Sequence, residues 1–185
     1  VTAHEFCDYC QRAENSTRRL DLTRGRVVEW PLPYVRHGLL ASNVGSALRG
    51  YADRSNLGYV ASGGVGIVLE DDPGTVRGPD VAFFPMTADP TARRWTDDRP
   101  VLAVEVRSGN DPPAEIDAMV DDLLRCGVPD VWLVESETRL LTAYRRQTGP
   151  RQFGVDDVVT ATELPGLSVR VGDLYLMPAG RAALR

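Results

Sequence analysis

Apolar positions along the chain change period several times. Leu40, Val44, Ala47, Leu48 and Tyr51 recur at helical spacing and predict a helix over 37–51 with one buried face. Ile116, Met119, Val120, Leu123 and Leu124 follow at i, i+3, i+4, i+7 and i+8, which predicts a second amphipathic helix over 114–126, ended by Gly127. Between the two the pattern shortens to strand-length runs. Residues 57–61 and 66–70 read as strands around a hairpin turn at Ser62-Gly63-Gly64. Strands follow at 80–84 and 101–107, separated by a loop rich in Asp, Arg and Pro. Val131-Trp132-Leu133-Val134 is the centre of a buried strand over 130–135, and 140–145 is its expected partner.

The ends of the chain are less periodic. Thr2 is placed to cap a short helix to about residue 13, with Phe6 and Tyr9 or Cys10 facing inward. Residues 18–30 read as a hairpin turning at Arg24-Gly25 and stopped by Pro31 and Pro33. The tail, with Leu164-Pro165-Gly166-Leu167 and then 169–176, closes as short strands or a 3₁₀ turn. Strand, helix and strand over 101–135 predict a right-handed parallel crossover. The short, turn-linked strands before it predict an antiparallel meander. The sum is a mixed α+β and α/β chain: a mixed sheet with helices on both faces.

Composition narrows the function classes. The 185 residues suit one domain with a sizeable core, at 43% hydrophobic and 25% charged. No apolar run approaches the ~20 residues of a membrane helix. Residues 1–12 carry acids and lack an apolar stretch, so no secretory signal is expected. Three cysteines in no even framework point to a reducing, cytoplasmic setting. The net charge of −5 excludes nucleic-acid binding by overall field. Any DNA contact must be a local arginine patch, and Arg93-Arg94 beside Trp95 is the best candidate. The helix face with Glu115, Asp117, Asp121 and Asp122 should point away from nucleic acid.

Strand alternation locates the candidate chemistry. Asp80 and Ala82 share one face, opposite Val81 and Phe83; Ala103, Glu105 and Arg107 share another, opposite Leu102, Val104 and Val106. If the two polar faces coincide, Asp80 and Glu105 converge, with small Ala82 and Ala103 leaving room beside them. Mg²⁺ favours such carboxylates together with waters. Without a metal, Asp80 is a strand-entry residue and Glu105 pairs with Arg107. A buried unpaired acid is costly, so Glu105 needs a partner or a metal in either case. His37, at the start of its helix, is a candidate to orient water or touch phosphate. Glu29 and Asp21 are candidate outer acids, and Ser108 and Asn110 are candidate substrate contacts or a plain turn. His4, Cys7 and Cys10 form His-x-x-Cys-x-x-Cys without a second ligand pair, which suits packing better than zinc. Ser62-Gly63-Gly64-Val65-Gly66 lacks the Lys-Ser/Thr of a phosphate loop.

Several stretches, in order, resemble the Uma-two family of restriction-endonuclease-like proteins. They are Thr2-Ala3-His4-Glu5-Phe6, the hairpin from Leu20 through Gly25-Arg26 to Glu29, and His37-Gly38. Gly78-Pro79-Asp80-Val81-Ala82-Phe83, Ala103-Val104-Glu105-Val106-Arg107-Ser108, Gly127-Val128-Pro129-Asp130 and Leu164-Pro165-Gly166-Leu167 continue the likeness nearly end to end. The resemblance implies a restriction-endonuclease-like core with a Pro-Asp…(Asp/Glu)-x-Lys site, Mg²⁺ or Mn²⁺ as cofactor, and phosphodiester hydrolysis in DNA. It implies one domain over 1–185: helix and hairpin over 1–36, nuclease core over 37–135 and C-terminal strands over 136–185. Asp80 and Glu105 match the metal-binding acids, and Arg107 stands where the wider superfamily has lysine.

The chain departs from that pattern in having no lysine: all 21 of its Lys+Arg residues are arginine. Many family members carry the lysine on the following helix, where this chain has Met119, a residue suited to packing. Arginine holds phosphate but does not deprotonate water. Two functions therefore stand side by side: a metal-dependent endonuclease, and a degenerate nuclease-fold module that binds nucleic acid or protein. A third is a structural oligomer, with Leu174-Tyr175-Leu176-Met177 as the candidate homodimer surface.

Overall fold

The structure, a computed structural model, describes residues 1–92 and 95–177. It opens with α1 (Ala3–Cys10), β1 (Leu20–Thr23), β2 (Arg26–Glu29) and the long α2 (Val35–Ser55). Then come β3 (Gly58–Ser62), β4 (Ile67–Glu70), β5 (Thr75–Arg77), β6 (Val81–Pro85) and β7 (Leu102–Arg107). After α3 (Pro113–Arg125) follow β8 (Asp130–Glu135), β9 (Leu141–Arg145), β10 (Gly149–Phe153), β11 (Val158–Val159), β12 (Val169–Arg170) and α4 (Val171–Leu174).

The ends of these elements follow local chemistry. Thr2 accepts from the Glu5 amide while Glu5 accepts from the Thr2 amide, a capping box that starts α1. Arg24 and Gly25 both have positive φ, the two-residue turn that joins β1 to β2. Asn56 in the left-handed region ends α2, and Gly127 with φ 107° follows α3.

Two sheets result. The larger has the order β10-β9-β8-β7-β6-β3, and β7–β8 is its parallel pair, joined through α3 as the crossover pattern predicts. The smaller has the order β2-β1-β5-β4. On one face of the large sheet, Leu40, Val44, Leu48 and Tyr51 of α2 pack on Val81, Phe83, Leu102, Val104 and Trp132, with the C-terminal Leu164, Leu167 and Leu174. On the other face Ile116, Met119, Val120 and Leu123 of α3, with Val28, Trp30, Ile67 and Leu69 from the small sheet, cover Ala82, Phe84, Ala103 and Leu133. The mixed sheet flanked by helices is thus the observed architecture.

Three differences from the sequence reading have physical causes. β3 and β4 do not form a hairpin, because Gly63 and Gly64, with φ of 93° and 74°, turn the chain from the large sheet into the small one. β5 and β10 were not expected; one is three residues long and the other, Gly-Pro-Arg-Gln-Phe, is polar. In the tail, Leu174 and Tyr175 are buried in the protein's own core, which leaves Leu176 and Met177 as the exposed part of the proposed oligomer surface.

The small sheet is also tied to α3 by charge. Arg77 of β5 is fully buried; its guanidinium donates to Asp122 at 2.7 and 3.1 Å and to Asp21 at 3.5 Å. Asp122, read from the sequence as part of a solvated acidic face, is 1% exposed and also meets Arg125. Asp117 and Asp121 do remain exposed. Removing one partner of a buried ion pair strands the other. Arg77→Met should therefore lower the unfolding free energy by about 3–5 kcal/mol, read as a shift of the urea midpoint at unchanged slope. Adding Asp122→Leu should recover part of that loss.

Candidate active site

β6 and β7 are antiparallel, with Val81 opposite Val104 and Ala82 opposite Ala103. Continuing that register by one step sets Asp80 across from Glu105. Since Val81, Phe83, Val104 and Val106 are held in the α2 core, alternation turns both acids to the opposite face. Asp80 is 9% and Glu105 2% exposed. The backbone aims each carboxylate: the Val106 amide donates to Asp80 Oδ2 at 2.8 Å, and the Asp80 amide donates to Glu105 Oε2 at 3.3 Å. Upstream, the Gly63 amide donates to the Asp80 carbonyl at 3.1 Å. Gly78 lies against Gly64, where a Cβ would sit 3.2 Å from the Gly64 oxygen. The glycine turn therefore braces the approach to Asp80.

The cation at these acids is Arg19, which the sequence reading did not single out. One of its terminal nitrogens lies 3.1 Å from Asp80 Oδ1 and 3.1 Å from Glu105 Oε1. It comes from the small sheet, just ahead of β1, and its guanidinium sits 5.5 Å from the Trp30 ring centroid. Burial opposes the charge on Arg19, but Glu105, Asp80, Asp21 and Asp111 together raise its pKa. A signal existed in the sequence: paired acids in apolar strands require a counter-charge. Which of many arginines supplies it depends on how the two sheets stack.

His37 is 3% exposed; its Nε2 lies 3.1 Å from Asp80 Oδ1 and its Nδ1 3.3 Å from Ser108 Oγ. A carboxylate only accepts, so Nε2 donates to Asp80, and Nδ1 pairs with the Ser108 hydroxyl. The Ser108 amide in turn donates to Asp111 at 2.7 Å. His37 and Ser108 thus orient Asp80 from within the protein.

The other sequence candidates lie elsewhere. Arg107 is bound to Glu135 at 3.1 Å and lines a separate depression with Ser108, Gly109 and Thr138. The expected Glu105–Arg107 pair is replaced by Glu105–Arg19, because the parallel register places Glu135 directly beside Arg107. Met119 packs in the apolar core under the sheet. Glu29 is held by Arg18, and Asp21 by Arg77. Asn110 is exposed. Trp95 packs on Phe6 with ring centroids 5.1 Å apart, and Arg93 and Arg94 lie outside the described residues. His4 meets Asp8, and burial pushes the Cys10 thiol up to about 11. Among the described residues, no three or more His, Cys, Asp and Glu side chains group so as to hold a metal ion.

A cleft of about 890 Å³ opens over Asp80, lined also by Arg19, His37, Arg18 and Arg49. It exists because one stripe of α2 carries only Gly38, Ala41, Ser42 and Gly45, beside the bulky stripe that fills the core. Glu105 does not line it.

Burial, and then the facing Asp80 carboxylate, hold Glu105 well above the usual carboxylate range, against the pull of Arg19; Asp21 adds to the rise. Below its ordinary value of 4.5, Glu105 is neutral whether the chain is folded or unfolded. As pH rises, the unfolded chain releases this proton first, so folded-state stability falls until the buried acid also ionises. Glu105→Gln carries no such loss. In chelator, its melting temperature should gain on the parent as pH is raised from about 5 to 8. A constant difference across that range would contradict the raised Glu105.

A comparison with curated proteins finds no match. Among solved structures, the chain is similar to a crystal structure of a protein from Anabaena variabilis ATCC 29413 described as "a putative nuclease belonging to DUF820". The TM-score is 0.79 at 17% identity, covering 95% of this chain and 97% of that one, so the two share a fold. A sequence family described as "Putative restriction endonuclease" matches residues 3–172, nearly the whole length; the chain belongs to this family, Uma2.

Proposed function

We propose that the protein is a divalent-metal-dependent endonuclease that hydrolyses phosphodiester bonds in DNA. The observation that carries this reading is the pairing of Asp80 and Glu105 across one step of β6–β7, both buried and both turned to a single cation beside a cleft. The family's description as a restriction endonuclease supports it. Two hard carboxylate donors fit Mg²⁺ or Mn²⁺, which keep several waters and need few protein ligands. Such an ion, held by Asp80 and Glu105, would lower the pKa of a bound water and neutralise phosphate charge.

The chain's own groups then have assigned tasks. Asp80 is aimed by the Val106 amide and by His37, Glu105 by the Asp80 amide. Neither can rotate freely, so their oxygens are preorganised. No lysine stands by to take a proton, and the position on α3 is closed by Met119 in the core. Arg19, facing the cleft, is the group suited to hold a phosphoryl oxygen and to stabilise its growing charge. Arg107, one-third exposed beside Glu135, is assigned to a flanking phosphate. Arg93 and Arg94, outside the described residues, are assigned to the DNA backbone.

One observation favours a second reading. Arg19 already offsets part of the charge of both acids, as it would in a degenerate nuclease-fold domain that binds nucleic acid or protein without cutting. Plasmid nicking separates the two. With Mg²⁺ or Mn²⁺, the parent protein should convert supercoiled to nicked DNA, and Glu105→Ala should be slower by about a hundredfold or more. Equal conversion by parent and variant, or none by either, would leave only the binding role.

A further inference from the structure

We propose that Arg19 is the resident counter-ion of the metal-free site, and that a divalent ion enters by displacing its guanidinium from Asp80 and Glu105. This deepens the endonuclease reading and rests on its metal site.

The oxygens decide the point. Asp80 Oδ2 accepts from the Val106 amide and Glu105 Oε2 from the Asp80 amide. The oxygens turned to a cation are Asp80 Oδ1, which also accepts from His37 Nε2 at 3.1 Å, and Glu105 Oε1, and one nitrogen of Arg19 sits 3.1 Å from each. A divalent ion held by both acids would draw on these oxygens, in the space that nitrogen fills. Guanidinium and metal are therefore alternatives. The charges agree: with both acids ionised, one guanidinium offsets half of their charge, and a divalent ion offsets all of it. A site with neither would set two like charges side by side on neighbouring strands.

Arg19 also has somewhere to go. Its side chain is 23% exposed and lines the cleft, and its contact with the Trp30 ring does not depend on the acids. Displacement moves a positive group from the acids into the space a phosphate would occupy. Metal arrival and readiness for an anionic substrate are thereby coupled without any large movement of the backbone.

The test reads Mn²⁺ binding by electron paramagnetic resonance, with no DNA present. Arg19→Met should bind Mn²⁺ at least about tenfold more tightly than the parent, while Arg18→Met, an equal loss of charge against exposed Glu29, should change it less than about threefold. In Arg19→Ala, guanidinium chloride at tens of millimolar should weaken Mn²⁺ binding by refilling the vacated place, and sodium chloride at equal ionic strength should not. Should the truncated variants fail to fold, the parent protein serves. Mg²⁺ titration should shift the Arg19 side-chain ¹⁵N resonance, and saturation with that resonance unmoved would overturn the exchange. So would unchanged or weaker Mn²⁺ binding in Arg19→Met while the parent binds and Glu105→Gln does not; the metal site would then stand without the exchange. If neither the parent nor Arg19→Met binds Mn²⁺, the metal reading falls, and the exchange with it.

Discussion

Two carboxylates buried side by side must be balanced, and much of this structure is arranged around that need. The antiparallel pairing of β6 and β7 brings Asp80 and Glu105 together because their neighbours on the other face are core residues. A shift of one residue in either strand would turn that strand's valine, Val81 or Val104, out of the α2 core and set its acid there instead. Hydrophobic burial on one face thus enforces electrostatic crowding on the other. The crowding is expensive in isolation, and it is relieved by backbone amides, by His37 and by Arg19.

The small sheet supplies the opposite charge. From it and its entry segment come Arg19, placed on the acids, and Arg77, placed between Asp21 and Asp122. Its apolar side, through Val28, Trp30, Ile67 and Leu69, shares a core with α3. The sheet is therefore more than a cover for the large sheet. Its packing sets where the guanidinium of Arg19 lies, and the ion pair of Arg77 with Asp122 holds that packing to the helix. Stability of the N-terminal region and electrostatics of the site are linked through these arginines.

Local signals were readable where one face of an element is buried against anything apolar. The stripes of α2 and α3, the capping box at Thr2, the Arg24-Gly25 turn and the strand–helix–strand crossover all follow from period and turn chemistry. Legibility failed where partners are distant in the chain. β5 is too short to show a period, and β10 too polar. Adjacent β3 and β4 go to different sheets, which no local pattern encodes. Asp122 looked like one of several surface acids on its helix, and only the sheet lying over it makes it a buried one.

The sequence by itself determined the two acids, the strands that carry them and the face of each strand, because alternation sets each acid opposite apolar neighbours; the pairing of the strands made those faces one. It also determined that no lysine could serve them, since the chain has none. Tertiary structure alone decided which arginine does. Arg107 is closer in sequence to Glu105, but the parallel register hands it to Glu135, and Arg19 arrives from 86 positions away. Charge pairing in a folded chain is settled by which elements stack, and stacking is a property of surfaces far apart in sequence.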